Sequence, residues 1–179
     1  MNKYLKLVVF CIFVILIFNL IGCNDKGKGI IKAVYLVSKN GGQLAKEEIV
    51  KYPEVISVTS FNELKKLVSK NTAIWIDKDA VDLVNQNWLQ KEAQNQIPIV
   101  LIGYNNALYS FREKLSVSGI QGPHIDWSQQ KLEPGFSIWM LKEKTNTSRS
   151  IFMKGYDSTP DTKQILSITN MLLEGKLPE

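Results

Sequence analysis

The part of the sequence best suited to chemistry is residues 122–127, which read GPHIDW and hold the only histidine, His124. In an extended segment His124 and Asp126 would project from the same side. Such a pair forms half of a metal site, or a base with an orienting carboxylate. The alternative is an ordinary surface histidine. The chain contains no Gly-x-Ser-x-Gly motif of the kind that carries a nucleophilic serine.

A second set of polar residues follows apolar segments that are typical of β-strands. Asp77 and Asp79 follow the segment 73–76, and Asn105 and Asn106 follow the segment 97–102. Ligands of open α/β sheets bind outside the carboxyl ends of the strands, so these residues are candidates for a binding site. The alternative for Asp77 and Asp79 is that they cap the helix that follows.

Two further features have both a functional and a structural interpretation. Residues 38–42 (SKNGG) could hold an anion with backbone N–H groups. However, they match neither a dinucleotide fingerprint nor a phosphate loop, and a plain turn is the alternative. Trp75 and Trp139 lie within apolar segments and are expected in the core, whereas Trp127 is a candidate for an exposed stacking platform.

Apolar segments typical of strands alternate with amphipathic segments typical of helices, and together they position these candidates. Strands are predicted over residues 30–37, 55–58, 73–76 and 97–102, and helices over 43–52, 61–68, 80–94 and 107–115. Residues 116–134 are predicted to form a long loop. The apolar runs 136–141 and 150–154 predict an antiparallel hairpin, and a final helix follows residue 159 and ends near Gly175.

This alternation predicts an α/β fold with a single domain over residues 30–179. Repeated strand–helix units imply right-handed crossovers and a mainly parallel sheet that is buried on both faces. We therefore expect a three-layer sandwich of flavodoxin-like or Rossmann-like type, with a C-terminal antiparallel hairpin and a final helix. Such folds carry many functions, so the fold alone decides none of them.

The amino terminus is typical of a secretory signal, because Lys3 and Lys6 precede an apolar run over residues 7–18. As a helix this run would span about 18 Å, well short of the roughly 30 Å core of a bilayer. Residues 20–23 (LIGC), with a small residue before Cys23, resemble the lipobox of bacterial lipoproteins. This resemblance covers residues 1–23 only.

The resemblance implies that residues 1–22 are a signal peptide and that Cys23 receives a diacylglyceryl group. Residues 23–29 are then the lipidated cysteine and a polar tether, and the protein is expected at the cell membrane on the extracytoplasmic side. Two acyl chains are sufficient for stable anchoring. The alternative is an uncleaved signal anchor in which Cys23 is an ordinary thiol.

Composition excludes several other classes of protein. The 45% of apolar and 22% of charged residues are ordinary globular proportions. Apart from Cys11 and Cys23 the chain has no cysteine, so the mature domain has no disulfide, thiol nucleophile or cysteine metal site. Loss of Lys3 and Lys6 lowers the net charge from +5 to +3, which does not indicate nucleic-acid binding. We expect no cofactor and no metal.

The sequence therefore favours a non-catalytic binding or accessory domain at the cell envelope, whose partners are the membrane and a small ligand or an envelope protein. The predicted binding residues lie after the strands and in the long loop: Asp77, Asn105, Asn106, His124 and Trp127. The alternative is a hydrolase of envelope material that uses Asp77, His124 and Asp126. Whether the protein is an enzyme stays open at this point.

Overall fold

The computed structural model describes residues 30–144 and 149–178. The predicted signal peptide, Cys23 and the tether lie outside the described residues, and so do residues 145–148 between the last two strands. Within the described ranges, no helix has the length and the apolar character needed to cross a membrane.

A six-stranded mixed sheet forms the centre of the domain, in the order β2-β1-β3-β4-β5-β6. The strands are β1 (Ala33–Leu36), β2 (Val55–Val58), β3 (Ala73–Asp77), β4 (Ile99–Ile102), β5 (Phe136–Lys144) and β6 (Arg149–Tyr156). The first four strands are parallel, whereas β5 is antiparallel to β4 and β6 is antiparallel to β5. The predicted α/β class is confirmed.

Four α-helices connect or follow the strands: α1 (Lys46–Ile49), α2 (Phe61–Leu67), α3 (Gln86–Gln94) and α4 (Thr162–Leu173). Two 3-10 helices, Lys78–Leu83 and Trp127–Gln129, and a π-helix, Tyr109–Lys114, complete the described helices. The spacing of Ser60 and Glu63 is that of a capping box at the start of α2, and the Ser60 hydroxyl accepts a hydrogen bond from the Glu63 amide at 3.3 Å.

Side chains of the central strands alternate between two apolar clusters, one on each face of the sheet. Val34 and Ile74 belong to one cluster, which also contains residues of α2, α3 and the π-helix. Tyr35 and Trp75 belong to the other, which contains residues of α1 and α4. Burial on both faces explains why these strands read as continuous apolar runs in the sequence.

Two predicted helices differ from the observed ones. The helix expected over residues 80–94 is divided into the 3-10 helix Lys78–Leu83 and α3, because the Asn85 side chain accepts a hydrogen bond from the Trp88 amide at 3.0 Å and so starts a new helix. The helix expected over residues 43–52 is reduced to the single turn α1. By contrast, the predicted loop over 116–134 is confirmed, with only the short 3-10 helix Trp127–Gln129 inside it.

Candidate functional site

Asp77 lies at the carboxyl end of β3 and is completely buried. Its Oδ2 atom accepts hydrogen bonds from the Tyr35 hydroxyl and from the Gln43 amide, the latter at 2.6 Å. Its Oδ1 atom accepts from the Asp79 amide at 3.0 Å, so the predicted capping role of Asp77 is confirmed. The carboxylate thus connects β1, the segment after β1 and the 3-10 helix after β3.

The strand order places this carboxylate where ligands of α/β sheets usually bind. The chain moves from β1 to β2 on one side and then returns past β1 to β3, so the direction of the strand order reverses between β1 and β3. A crevice is expected at this reversal, outside the carboxyl ends of the two strands. Residues 38–44 fill part of the crevice by lying over Asp77.

Tyr35 and Gly42 explain how residues 38–44 come so close to the sheet. Burial raises the pKa of the Tyr35 hydroxyl far above its ordinary value, and the neighbouring Asp77 carboxylate raises it further. The hydroxyl therefore remains protonated and donates to Asp77. A Cβ atom on Gly42 would lie 2.6 Å from Asp77 Oδ2 and 2.7 Å from Val37 Cγ2, so only glycine allows this approach.

Beside Gly42 the domain has an open cavity of about 430 Å³, which we call the strand-end cavity. Its lining includes Tyr35 and Ser57, which pair across β1 and β2, and residues of the single-turn helix α1. The remaining lining residues are Val37, Ser38, Lys39, Gly41, Gly42, Leu44, Ala45, Lys46, Ile49 and Thr59.

The lining of the strand-end cavity combines positive charge, hydroxyl groups and an apolar wall. Lys39 and Lys46 carry the charge, and none of the lining residues is acidic. Leu44 and Ile49 are buried and supply the apolar wall. Such a lining favours a small ligand that carries both an acidic group and an apolar part.

Asn105 and Asn106 lie in the turn after β4, where both contribute to the fold. Asn106 Oδ1 accepts a hydrogen bond from the Tyr109 amide at 3.0 Å, and so caps the helical segment that leads into the π-helix. Asn105 packs against the start of β5 and against β6, since a Cβ atom on Gly135 would lie 2.8 Å from Asn105 Cβ and one on Gly155 would lie 2.8 Å from the Asn105 carbonyl carbon.

His124 and Asp126 lie near each other and are both exposed. Asp126 Oδ1 accepts hydrogen bonds from the Ser128 hydroxyl at 2.6 Å and the Ser128 amide at 3.0 Å, and these bonds lower the pKa of Asp126. Nearby, a hydrogen bond from Arg112 lowers the pKa of Glu113. His124 also lowers the pKa of the Asp126 and Glu113 carboxyl groups, by a smaller effect than these hydrogen bonds.

Trp127 is partly buried in a small aromatic cluster. Its ring meets Tyr109 edge to face with centroids 5.0 Å apart, and Tyr109 meets Tyr104 in the same way at 5.1 Å. Arg112 holds the preceding residues in place through a hydrogen bond of 3.0 Å to the carbonyl of Pro123. The loop with His124 and Trp127 therefore packs on the π-helix.

The structure thus divides the predicted site residues into separate groups. None of the described hydrogen bonds of Asp77 involves His124 or Asp126. In the part of the chain that the structure describes, no three His, Cys, Asp or Glu side chains form a group that could hold a metal ion.

Sequence reasoning missed the main lining residues of the strand-end cavity: Tyr35, Lys46, Ser57 and Thr59. One signal for Tyr35 was available, because its hydroxyl group stands inside an otherwise apolar strand segment and requires a hydrogen-bond partner. Lys46 and Thr59 carry no comparable signal.

Comparison of the chain with protein-family models, with curated proteins and with solved structures found no match in any of the three. The fold and the cavity define this protein as an α/β domain with an open cavity at the carboxyl ends of two parallel strands.

Proposed function

We propose that this protein is a lipid-anchored lipoprotein on the extracytoplasmic side of the cell membrane, whose α/β domain binds a small acidic ligand without catalysing a reaction. The observation that carries the proposed binding function is the strand-end cavity with Lys39 and Lys46 in its lining. The lipobox resemblance at Cys23 supports the anchor.

We assign the domain to the flavodoxin-like three-layer sandwiches. The parallel part of the sheet has the order β2-β1-β3-β4, which corresponds to the first strands of a flavodoxin-like sheet. Helices of the two apolar clusters would form the outer layers. The antiparallel pair β5 and β6 would be the predicted C-terminal hairpin.

Both the size and the chemistry of the strand-end cavity support a small ligand. Its volume of about 430 Å³ lies within the range of roughly 300–1,000 Å³ typical of small-molecule sites. The ammonium groups of Lys39 and Lys46 would attract the acidic group, and the hydroxyls of Ser57 and Thr59 would offer hydrogen bonds. Leu44 would contact the apolar part of the ligand.

Binding without catalysis is favoured by the contacts of Asp77 and by the protonation of Tyr35. Asp77 is buried, and both of its oxygens already accept hydrogen bonds from within the fold. The raised pKa of Tyr35 keeps its hydroxyl neutral. The predicted hydrolase would first have to break these contacts.

The cavity predicts the effect of a bulky residue at position 57. Ser57→Phe is expected to weaken binding at least about tenfold, because the ring would occupy part of the strand-end cavity, which Ser57 lines. Octanoate and phenyl phosphate are suitable probes, and NMR titration of the Gly41 and Gly42 amides measures their affinity. Ser150→Phe is the matched control, since Ser150 is an exposed residue of strand β6.

The two probes distinguish a carboxylate from a phosphate ligand. If neither probe shifts these amides at millimolar concentration, the acidic-ligand proposal is wrong. If both variants titrate like the wild type, the probe does not occupy the space beside Ser57, and the proposed binding mode is wrong.

The anchor is tested by Cys23→Ala in cells, followed by membrane fractionation and intact mass. We expect the wild type to be lipid-modified and membrane-bound, and the variant to be unprocessed or released, because the thiol that receives the lipid is missing. Equal fractionation of both proteins, with residues 1–22 still attached, would contradict the lipoprotein assignment.

A further inference from the structure

The amino ends of the parallel strands form the end of the domain opposite the strand-end cavity. These strands begin at nearly the same level, since Ala33 pairs with both Val55 and Ala73, and Ile74 pairs with Ile99. The end of β5 lies there too, because Gln96 Nε2 donates a hydrogen bond of 3.0 Å to the Lys142 carbonyl. The end of α4 is also close to the start of β1. Lys176 has the largest effect in lowering the pKa of Glu174, and the positive charge of Lys32, just before β1, lowers it further.

This end presents exposed lysines together with exposed apolar side chains. We call it the basal surface and define it by Ile30, Lys51, Lys70, Lys142, Lys176 and Leu177. All four lysines are exposed, and Ile30 and Leu177 are 71% and 45% exposed. Lys176 also forms an ion pair with Glu174 at 2.8 Å.

The opposite end of the domain, where the strand-end cavity lies, carries exposed carboxylates. Asp79 follows β3, Asp157 follows β6 and Asp161 caps α4, and all three are exposed. The cavity end also carries the exposed lysines Lys39, Lys46, Lys131 and Lys163, and the basal end carries Glu174, so both ends hold charges of both signs.

The position of the tether brings a membrane to the basal surface. Residues 24–29 separate Cys23 from Ile30, and a segment of this length spans at most about 20 Å. Ile30 lies at the amino end of β1, so an anchor at Cys23 would hold this end close to the bilayer. Lys26 and Lys28 add positive charge within the tether itself.

We propose that the basal surface docks on the anionic head groups of the bilayer that holds the lipid anchor, with Ile30 and Leu177 in contact with the interfacial region. Lysines near an anionic surface contribute favourably to binding, and exposed apolar residues strengthen it. The strand-end cavity then points away from the membrane and is open to a dissolved ligand. This inference depends on the proposed lipid anchor.

Lysine reactivity on vesicles tests this orientation. The lipidated full chain is added to vesicles of phosphatidylglycerol and phosphatidylcholine, or of phosphatidylcholine alone, and acetylation of each lysine is measured by mass spectrometry. We expect Lys51, Lys70 and Lys142 to react at least about fivefold more slowly on the anionic vesicles. Lys131 and Lys163, at the cavity end, should react equally on both. Equal reactivity at both ends on both vesicles would overturn the proposal.

Charge reversal provides an independent readout with a matched control. The triple variant Lys51→Glu, Lys70→Glu, Lys142→Glu should lose the slower acetylation of Lys176 on anionic vesicles. The control Lys39→Glu, Lys131→Glu, Lys163→Glu has the same net charge and should retain it. Thermal melts by circular dichroism verify that both are folded.

The outcomes show which proposal is wrong, the docking of the basal surface or the lipid anchor. If the wild type stays on vesicles but Lys176 is acetylated equally in the two triple variants, docking of the basal surface is wrong and the anchor stands. Wild type that carries no lipid and does not stay on vesicles overturns the anchor and the docking together.

Discussion

Asp77→Ala is expected to lower the free energy of unfolding by about 4 kcal/mol, one of the two largest effects expected of a single substitution in this domain. The substitution removes the acceptor for the Tyr35 hydroxyl, the Gln43 amide and the Asp79 amide. Tyr35 is completely buried, so its hydroxyl would be left in the core without a partner. Leaving a buried donor unsatisfied costs about 1–3 kcal/mol by itself.

Urea denaturation at neutral pH measures this loss, and two further variants test its origin. Asp77→Asn keeps the shape of the side chain and one acceptor oxygen, so we expect it to lose about half as much. Asp79→Ala changes an exposed side chain and should stay within about 0.5 kcal/mol of the wild type. A loss below about 1 kcal/mol for Asp77→Ala would show that the segment after β1 does not depend on this carboxylate.

The α/β class could be predicted from the sequence because it depends on local patterns. Strands such as β1 and β4 are buried on both faces and therefore appear as uninterrupted apolar runs. The capping interaction of Ser60 with Glu63 is also local, since the two residues are three positions apart. In both cases the physical cause lies within a few residues of its effect.

The role of Asp77 could be predicted only in part, because its contacts join distant parts of the chain. Capping of the Asp79 amide is a local interaction and was predicted. The bond from Tyr35 spans 42 positions and the bond from Gln43 spans 34, so no local pattern reveals them. They bury Asp77 beneath the segment after β1, whereas the sequence suggested an accessible carboxylate.

The strand-end cavity was missed for a related reason. The residues over 43–52 have a helical pattern, which predicts a longer helix than the single turn that the structure has. The Gln43 amide is instead bound to Asp77, and α1 starts only at Lys46. A tertiary contact therefore holds Gln43 outside the helix, and the neighbouring Leu44 and Ala45 line the cavity.

Gly155→Ala should also lower the free energy of unfolding strongly, by about 3 kcal/mol. The backbone of the turn after β4 lies directly against β6, so a Cβ atom on Gly155 would overlap the carbonyl oxygen of Asn105 and lie 2.8 Å from its carbonyl carbon. The obstacle is backbone, which cannot turn aside as a flexible side chain can. Either β6 or the turn that holds Asn105 and Asn106 must move.

Gly175→Ala separates this steric effect from the general cost of replacing glycine. Gly175 has a φ of +74° with open space around its Cβ position, so alanine there costs only conformational strain, about 1 kcal/mol. Urea denaturation compares the two variants, and NMR shifts of the Asn106 and Tyr109 amides report movement of the turn. If Gly155→Ala costs no more than Gly175→Ala and leaves these amides unshifted, the turn does not pack on β6 as described.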